Sequence, residues 1–172
     1  MTGNTTTRQG RPWLYLIVAA AFVALDQLTK WLCIWYLKAV GSITLIPGLL
    51  RLTYLENRGA AFGSMTSHRW VFMVLSTVAI VVMTVYLLRY AEPSRLLRWA
   101  LALIIGGGVG NMIDRVALGY VVDMIDFYGI WPYIFNVADS CVCIGAGLMI
   151  LHFILAACAE YKAKSEQDGG KV

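Results

Sequence analysis

Charged side chains are scarce in this sequence: Asp, Glu, Lys and Arg make up 14% of its 172 residues, while hydrophobic residues make up 59%. Soluble domains carry about 25% charged residues, so the composition excludes an ordinary water-soluble protein and implies an integral membrane one. The net charge of +4 is spread over termini and short loops. It lacks the clustered basic face that nucleic-acid binding needs. Histidine is nearly absent, and His68 and His152 fall at different depths of the topology predicted below, too far apart for a metal or histidine-base site. Cys33, Cys141, Cys143 and Cys158 contain no CxxC pair, which removes the usual zinc framework. They read as small buried hydrophobes. No metal and no cofactor is expected. Gly106-Gly107-Gly108 lacks dinucleotide-binding spacing and does not open after a strand, so it reads as helix packing.

What the chain has in abundance is apolar sequence in runs of membrane length. About 20 such residues cross the ~30 Å hydrocarbon core, and four helices are predicted, at about 12–37, 70–90, 96–113 and 138–159. The first continues past Asp26 and Lys30, too long for a signal peptide with an apolar core of about 7 to 15 residues. Gly106 and Gly110 give the third a spacing suited to tight packing. Two outer loops remain, 38–68 and 116–137. In the first, the Pro47-Gly48 turn between β-favouring runs predicts a short hairpin or cradle. The second is read as a loop or partial re-entry, its aromatics around Tyr128 to Tyr133 serving as a lid or as an interfacial belt. The expected fold class is thus an all-α membrane protein: one integral domain, 1–172, with four transmembrane helices, a small β-like extracytoplasmic cradle and an extracytoplasmic loop.

Arg8, Arg11, Arg89, Arg95, Arg98, Lys162 and Lys164 fall on one side of a four-helix arrangement. The positive-inside rule makes that side, and both termini, cytoplasmic. The polar residues inside apolar sequence then gather at the opposite surface: Asp26 and Lys30 on the first helix, Asn57 in the first outer loop, Asn111, Asp114 and Arg115 ending the third helix, Asn136 and Asp139 opening the fourth. An ionisable group at membrane depth costs roughly 2.5 to 3.5 kcal/mol on insertion scales, so each is a functional-site hypothesis. Asp26 and Lys30 are i,i+4 neighbours, as are Asn111 and Arg115. They read either as self-neutralising or orienting networks or as part of the chemistry. Asp123 and Asp139 stand in apolar settings without an adjacent cation. Two carboxylates meeting in a dry site share one proton, the arrangement by which aspartic proteases activate water. The alternative is that Asp139 only caps helix four and Asp123 faces solvent. Ser140 with Lys30 offers a Ser-Lys dyad. A proton-coupled transporter subunit would also use paired intramembrane acids, and a non-enzymatic assembly protein would use the glycine-rich helix.

Five blocks carry a resemblance: Asp26-Gln27-Leu28-Thr29-Lys30, Asn57-Arg58-Gly59-Ala60-Ala61-Phe62, Gly110-Asn111-Met112-Ile113-Asp114-Arg115, Val121-Val122-Asp123 and Phe135-Asn136-Val137-Ala138-Asp139. In order and spacing the sequence resembles the lipoprotein signal peptidases, or signal peptidase II. The resemblance implies a four-helix aspartic endopeptidase of the bacterial inner membrane that removes signal peptides from diacylglyceryl-modified prolipoproteins, among membrane lipids, and that is sensitive to the cyclic peptide antibiotic globomycin. It assigns the catalytic roles to Asp123 and Asp139, with Asp26, Lys30, Asn57, Asn111, Asp114, Arg115 and Asn136 supporting or lining the site. The choice of Asp123 over Asp114 or Asp126 comes from this resemblance, since spacing leaves all three open.

Overall fold

The computed structural model describes residues 11–59, 69–89 and 94–169. Helix α1, Trp13–Leu37, buries Ala19, Asp26, Lys30, Cys33 and Leu37 along one stripe. Those intervals of seven, four, three and four residues follow the helical repeat. The remaining faces carry exposed Leu25, Leu28, Trp31 and Trp35. Polar residues thus face the protein and apolar ones face outward, the order a bilayer selects.

Helix α2 is Arg69–Arg89 and α3 is Arg95–Ala117. Ser94 starts α3 by accepting from Leu97 N–H at 3.1 Å, an N-cap. Helix α4 is Val137–Gly169. Helices α1, α3 and α4 are long and apolar enough to cross a membrane, whereas the apolar stretch of α2 among the described residues, Met73–Arg89, is shorter. Helix α3 lies in the middle and packs against the other three. Its glycines bring backbones together: a Cβ at Gly106 would lie 2.9 Å from the Ala19 carbonyl oxygen, and one at Gly107 would overlap the Ala138 carbonyl. Small residues are what permit such contact between membrane helices.

Two spans differ from the sequence expectation. The third, expected at 96–113, runs to Ala117, because Asn111 and Asp114 are buried in the protein interior and do not mark a water boundary. The fourth, expected at 138–159, runs to Gly169, because an exposed helix need not stop where hydrocarbon stops; Glu160 and Lys164 brace it with an i,i+4 ion pair at 2.8 Å. Cys33 and Cys141 are buried as expected, but Cys143 and Cys158 are exposed on α4.

At one end of the bundle sits a four-stranded antiparallel sheet in the order β1-β2-β3-β4, with β1 at Ser42–Ile46, β2 at Leu50–Asn57, β3 at Val121–Asp126 and β4 at Ile134–Phe135. The expected hairpin is β1-β2, turned at Gly48 with φ +76°. The segment 116–137, expected as a loop or partial re-entry, instead supplies β3 and β4. Val122 and Met124 of β3 pack on Cys33 and Leu37 of α1, while Val121 and Asp123 line a cavity on the other face. A strand buried on both faces shows no polar-apolar alternation, which hid it in the sequence. Residues 60–68, which include part of the Asn57–Phe62 block and His68, lie outside the described residues.

Candidate active site

Lys30 organises the interior. Its ammonium contacts Asp26 Oδ2 at 2.8 Å and Asp114 Oδ2 at 3.1 Å and donates to Asn111 Oδ1 at 3.0 Å. An ammonium has three N–H donors, and these partners use all of them. Asp26 Oδ1 also accepts the Ala138 N–H at 2.8 Å, tying α1 to the start of α4. Asp114 Oδ2 also accepts the Val122 N–H at 3.0 Å, tying α3 to β3. Gln27 completes the set by donating to Asp114 Oδ1 at 2.9 Å and to the Gly110 carbonyl at 3.1 Å. Gly110 itself leaves room for the aspartate, since a Cβ there would lie 2.6 Å from Asp26 Oδ2.

Because Lys30 can only donate, it fixes how the Asn111 amide points. Oδ1 faces the ammonium, and Nδ2 is left to donate to Asp139 Oδ1 at 2.7 Å. Asn136 is oriented by the same logic, donating from Nδ2 to Asn111 Oδ1 at 3.1 Å and to Asp123 Oδ1 at 2.7 Å. Its Oδ1 accepts the Asp139 N–H at 2.8 Å, and its own N–H donates to Asp139 Oδ2 at 3.2 Å. This exchange is a capping box at the start of α4. Asp123 is 1% exposed and receives a further amide proton from Asn57 Nδ2 at 2.9 Å. Asp139 therefore does cap its helix, but Asp123 does not face solvent.

Asp123 and Asp139 share Asn136 and line one cavity of about 720 Å3. Its walls include Asn57 from β2, Tyr133 beside β4, Ser76 from α2, Gly108 and Arg115 from α3, and Cys143 from α4. Every residue singled out from the sequence for the site thus belongs to one connected assembly: Asp26, Lys30 and Asp114 beneath, Asn111 and Asn136 between, Asp123, Asp139, Asn57 and Arg115 at the cavity. Gln27 went unselected although it stands inside a quoted block. Its signal was a polar residue beside Asp26 in an apolar run.

Two alternatives lose their geometry. The Ser140 hydroxyl turns back to the Asn136 carbonyl at 3.0 Å, and Lys30 is committed to two carboxylates, so no Ser-Lys dyad forms. Asp126, buried at 4%, is held by Arg51 and Thr53 and lies apart from the cavity lining. Among the described residues no cluster suited to a metal ion is present.

Burial, and then the charge of Asp139, push the Asp123 carboxyl up to about 7, against the opposing pull of the Asn57 and Asn136 amides and Lys30. The folded protein consequently keeps a proton on Asp123 between about pH 4 and pH 7, where an unfolded aspartate has lost it. With more protons bound in the folded state, stability falls as pH rises through that window and levels off above it. Asp123→Asn, uncharged throughout, removes this dependence. Thermal melts in detergent should show the variant gaining on the parent by a few kcal/mol between pH 4.5 and pH 8. A constant difference across that range contradicts the assignment of the raised group.

The sequence matches the family model described as signal peptidase (SPase) II over residues 18–155. It is 40% identical to the lipoprotein signal peptidase of Halalkalibacterium halodurans over 158 residues, covering 90% of this chain and 99% of that one. It is 44% identical to the lipoprotein signal peptidase of Symbiobacterium thermophilum over 144 residues, or 83% and 95% of the two chains. A bacterial membrane enzyme solved by the in meso method at 2.3 Å resolution superposes with a TM-score of 0.77 at 30% identity, covering 84% of this chain and 89% of that one. A second, solved at 1.9 Å, gives 0.73 at 32% identity, with 81% and 92% covered. The match runs from residue 18, within α1, through the sheet and into α4 as far as residue 155, so the assembly around Lys30 and Asn136 sits inside the shared region, and the chain belongs to the signal peptidase II family.

Proposed function

We propose that this protein is an aspartic endopeptidase of the bacterial inner membrane, that it removes signal peptides from diacylglyceryl-modified prolipoproteins just before the lipid-bearing cysteine, and that Asp123 and Asp139 do the chemistry. The pair shares one proton. Its ionised member takes a proton from a water molecule, whose oxygen attacks the scissile carbonyl carbon, while its protonated member gives its proton to the carbonyl oxygen. The tetrahedral diol then collapses: one hydroxyl returns its proton to the ionised carboxylate, the C–N bond breaks, and the leaving nitrogen takes the proton that the other carboxyl had drawn from water, becoming the amino group of the cysteine and leaving the pair with one proton again. No covalent intermediate forms on the protein.

The observation that carries this reading is the division of the acids. Asp26 and Asp114 are engaged by Lys30, while Asp123 and Asp139, held at a single asparagine, front the cavity. Burial of Asp123 makes a shared proton affordable near neutral pH. Both termini lie in the cytoplasm, the sheet end faces outward, and the cavity meets the substrate where its signal helix emerges from lipid. Globomycin, a cyclic peptide, competes for that space. A transporter would need polar groups through the full thickness, and the buried charges cluster at one end.

Full-length protein in detergent, given a diacylglyceryl-modified precursor, should release a fragment whose mass places the cut before the modified cysteine. Globomycin should stop the cut, an unmodified precursor should resist it, and Ser140→Ala should retain most activity. A dead Ser140→Ala beside a live Asp123→Asn, or proton-driven flux in proteoliposomes, overturns the proposal.

A further inference from the structure

Strand β2 holds one residue more than its partner. Arg51 pairs with Asp126 and Leu52 with Ile125, yet the next pairs are Leu55 with Asp123, Glu56 with Val122 and Asn57 with Val121. Thr53 and Tyr54 therefore oppose Met124 alone, a β-bulge. Without it, the first register would continue with Tyr54 opposite Asp123 and Glu56 opposite Val121. Neighbouring residues on a strand point to opposite faces, so a slip of one exchanges them. Glu56 already borders the cavity beside Asn57, but its side chain would then share the face of Asp123, and the Asn57 side chain would turn away from it. As built, the Glu56 carboxylate is held by Arg58 at 2.7 Å, Tyr54 at 3.0 Å and Lys38 at 3.4 Å.

One buried carboxylate spans the bulge. Asp126 Oδ2 accepts from Arg51 Nε, just before the irregularity, and at 3.0 Å from Thr53 Oγ1, the first of the two residues that face Met124. The Arg51 guanidinium also lies 4.9 Å from the centre of the Tyr128 ring, whose hydroxyl accepts the Gly48 N–H. Nothing in the reaction uses these groups, yet they sit where β2 changes register.

We propose that Asp126, acting with Arg51 and Thr53, is a positioning residue: it pins the bulge, and the pinned bulge presents the Asn57 amide, in place of the Glu56 carboxylate, to Asp123. The inference rests on the reading of Asp123 as catalytic. Asp126 lies three residues along β3, about 10 Å away at ~3.4 Å per residue. It acts through the strand.

That distinction gives the test its sign. Around Asp123 stand Lys30 and Cys33 of α1, Glu56 and Arg58 at the end of β2, Asp114 and Arg115 of α3, and Asp139 of α4. Deleting the negative charge of Asp126 would, by Coulomb's law alone, lower the pH at which Asp123 titrates. Losing the Asn57 donor does the reverse, since a donor to the ionised form favours it.

The experiment follows Asp123 by isotope-edited infrared spectroscopy of the full chain in detergent, using the carboxyl band absent from Asp123→Asn, alongside kcat and KM. Asp126→Ala should move the titration and the alkaline limb of the rate profile upward. It should lower kcat by roughly 10- to 100-fold with KM within about twofold, the scale of a small misplacement. Asn57→Ala should shift the titration the same way, and adding Asp126→Ala to it should shift it no further. Asp126→Asn, which keeps an acceptor oxygen for Arg51 and Thr53, should recover most of the loss. A titration that stays put or moves down in Asp126→Ala overturns the proposal, even if the variant melts earlier. Since the band is read without turnover, an Asp123→Asn enzyme that still cleaved would remove the catalytic reading and leave the bulge to be judged by the spectrum.

Discussion

Asp123→Asn and Asp139→Asn should each lower kcat for a lipidated precursor by about four powers of ten or more, with the protein still folded. General acid-base groups contribute about 10²- to 10⁴-fold each, and residues that act as a unit lose nearly everything together. The double variant should therefore be little worse than either single one. The fold tolerates the changes because asparagine has nearly the same shape. At 123, the side chain can still accept from either Asn57 or Asn136, forgoing one of two hydrogen bonds, a loss of about 1 kcal/mol. At 139, the amide oxygen can keep its part in the capping box. Single-turnover cleavage, measured beside a melting curve, separates lost chemistry from lost fold. Either variant cleaving at the parental rate would remove Asp123 and Asp139 from the catalytic role.

The second large effect is on stability. Lys30→Met keeps the length and apolar stem of the side chain but leaves Asp26 and Asp114, 1% and 2% exposed, without their cation. Removing one partner from a buried ion pair costs about 3 to 5 kcal/mol. Here it also removes one of the two donors, Lys30 and Asn136 Nδ2, that hold Asn111 Oδ1 in place, loosening the amide that donates to Asp139. The expected result is a fall in melting temperature of roughly 10 °C or more on the scale by which domains of 150 to 250 residues respond, and loss of activity even in the fraction that stays folded. A Lys30→Met protein as stable as the parent at pH 7 would mean that the ammonium is not the organising charge.

Much of this arrangement was legible in the sequence because lipid punishes stray polarity. Asp26, Lys30, Asn111, Asp114, Asn136 and Asp139 stand out against their apolar surroundings, and a common depth follows from helix lengths alone. The hairpin was legible from Pro47-Gly48, whose glycine supplies a positive φ. Strand β3 was not: Val121 through Met124 are all buried, so the alternation that reveals a strand is missing. Nor could spacing choose among the acids. Asp114 is taken by Lys30, Gln27 and the Val122 N–H, and Asp126 by Arg51 and Thr53. The first set is a long-range meeting of α1, α3 and β3, and the second straddles a bulge in β2; no local pattern announces either. The choice of Asp123 came from the resemblance; the hydrogen bonds show how Asp114 and Asp126 are engaged elsewhere.

Helix α4 begins in the capping box that holds Asp139 and continues unbroken for 33 residues, about 50 Å at 1.5 Å per residue. Its first turn is anchored to α1 and α3 at the cavity, while its last turns stand clear of the bundle. It is therefore a pointer with its pivot at the carboxylates. A lean of about 10° at the pivot would sweep the far tip sideways by roughly 9 Å over that length, which makes the tip a place to watch, from the far end of the helix, how the cavity adjusts to an occupant.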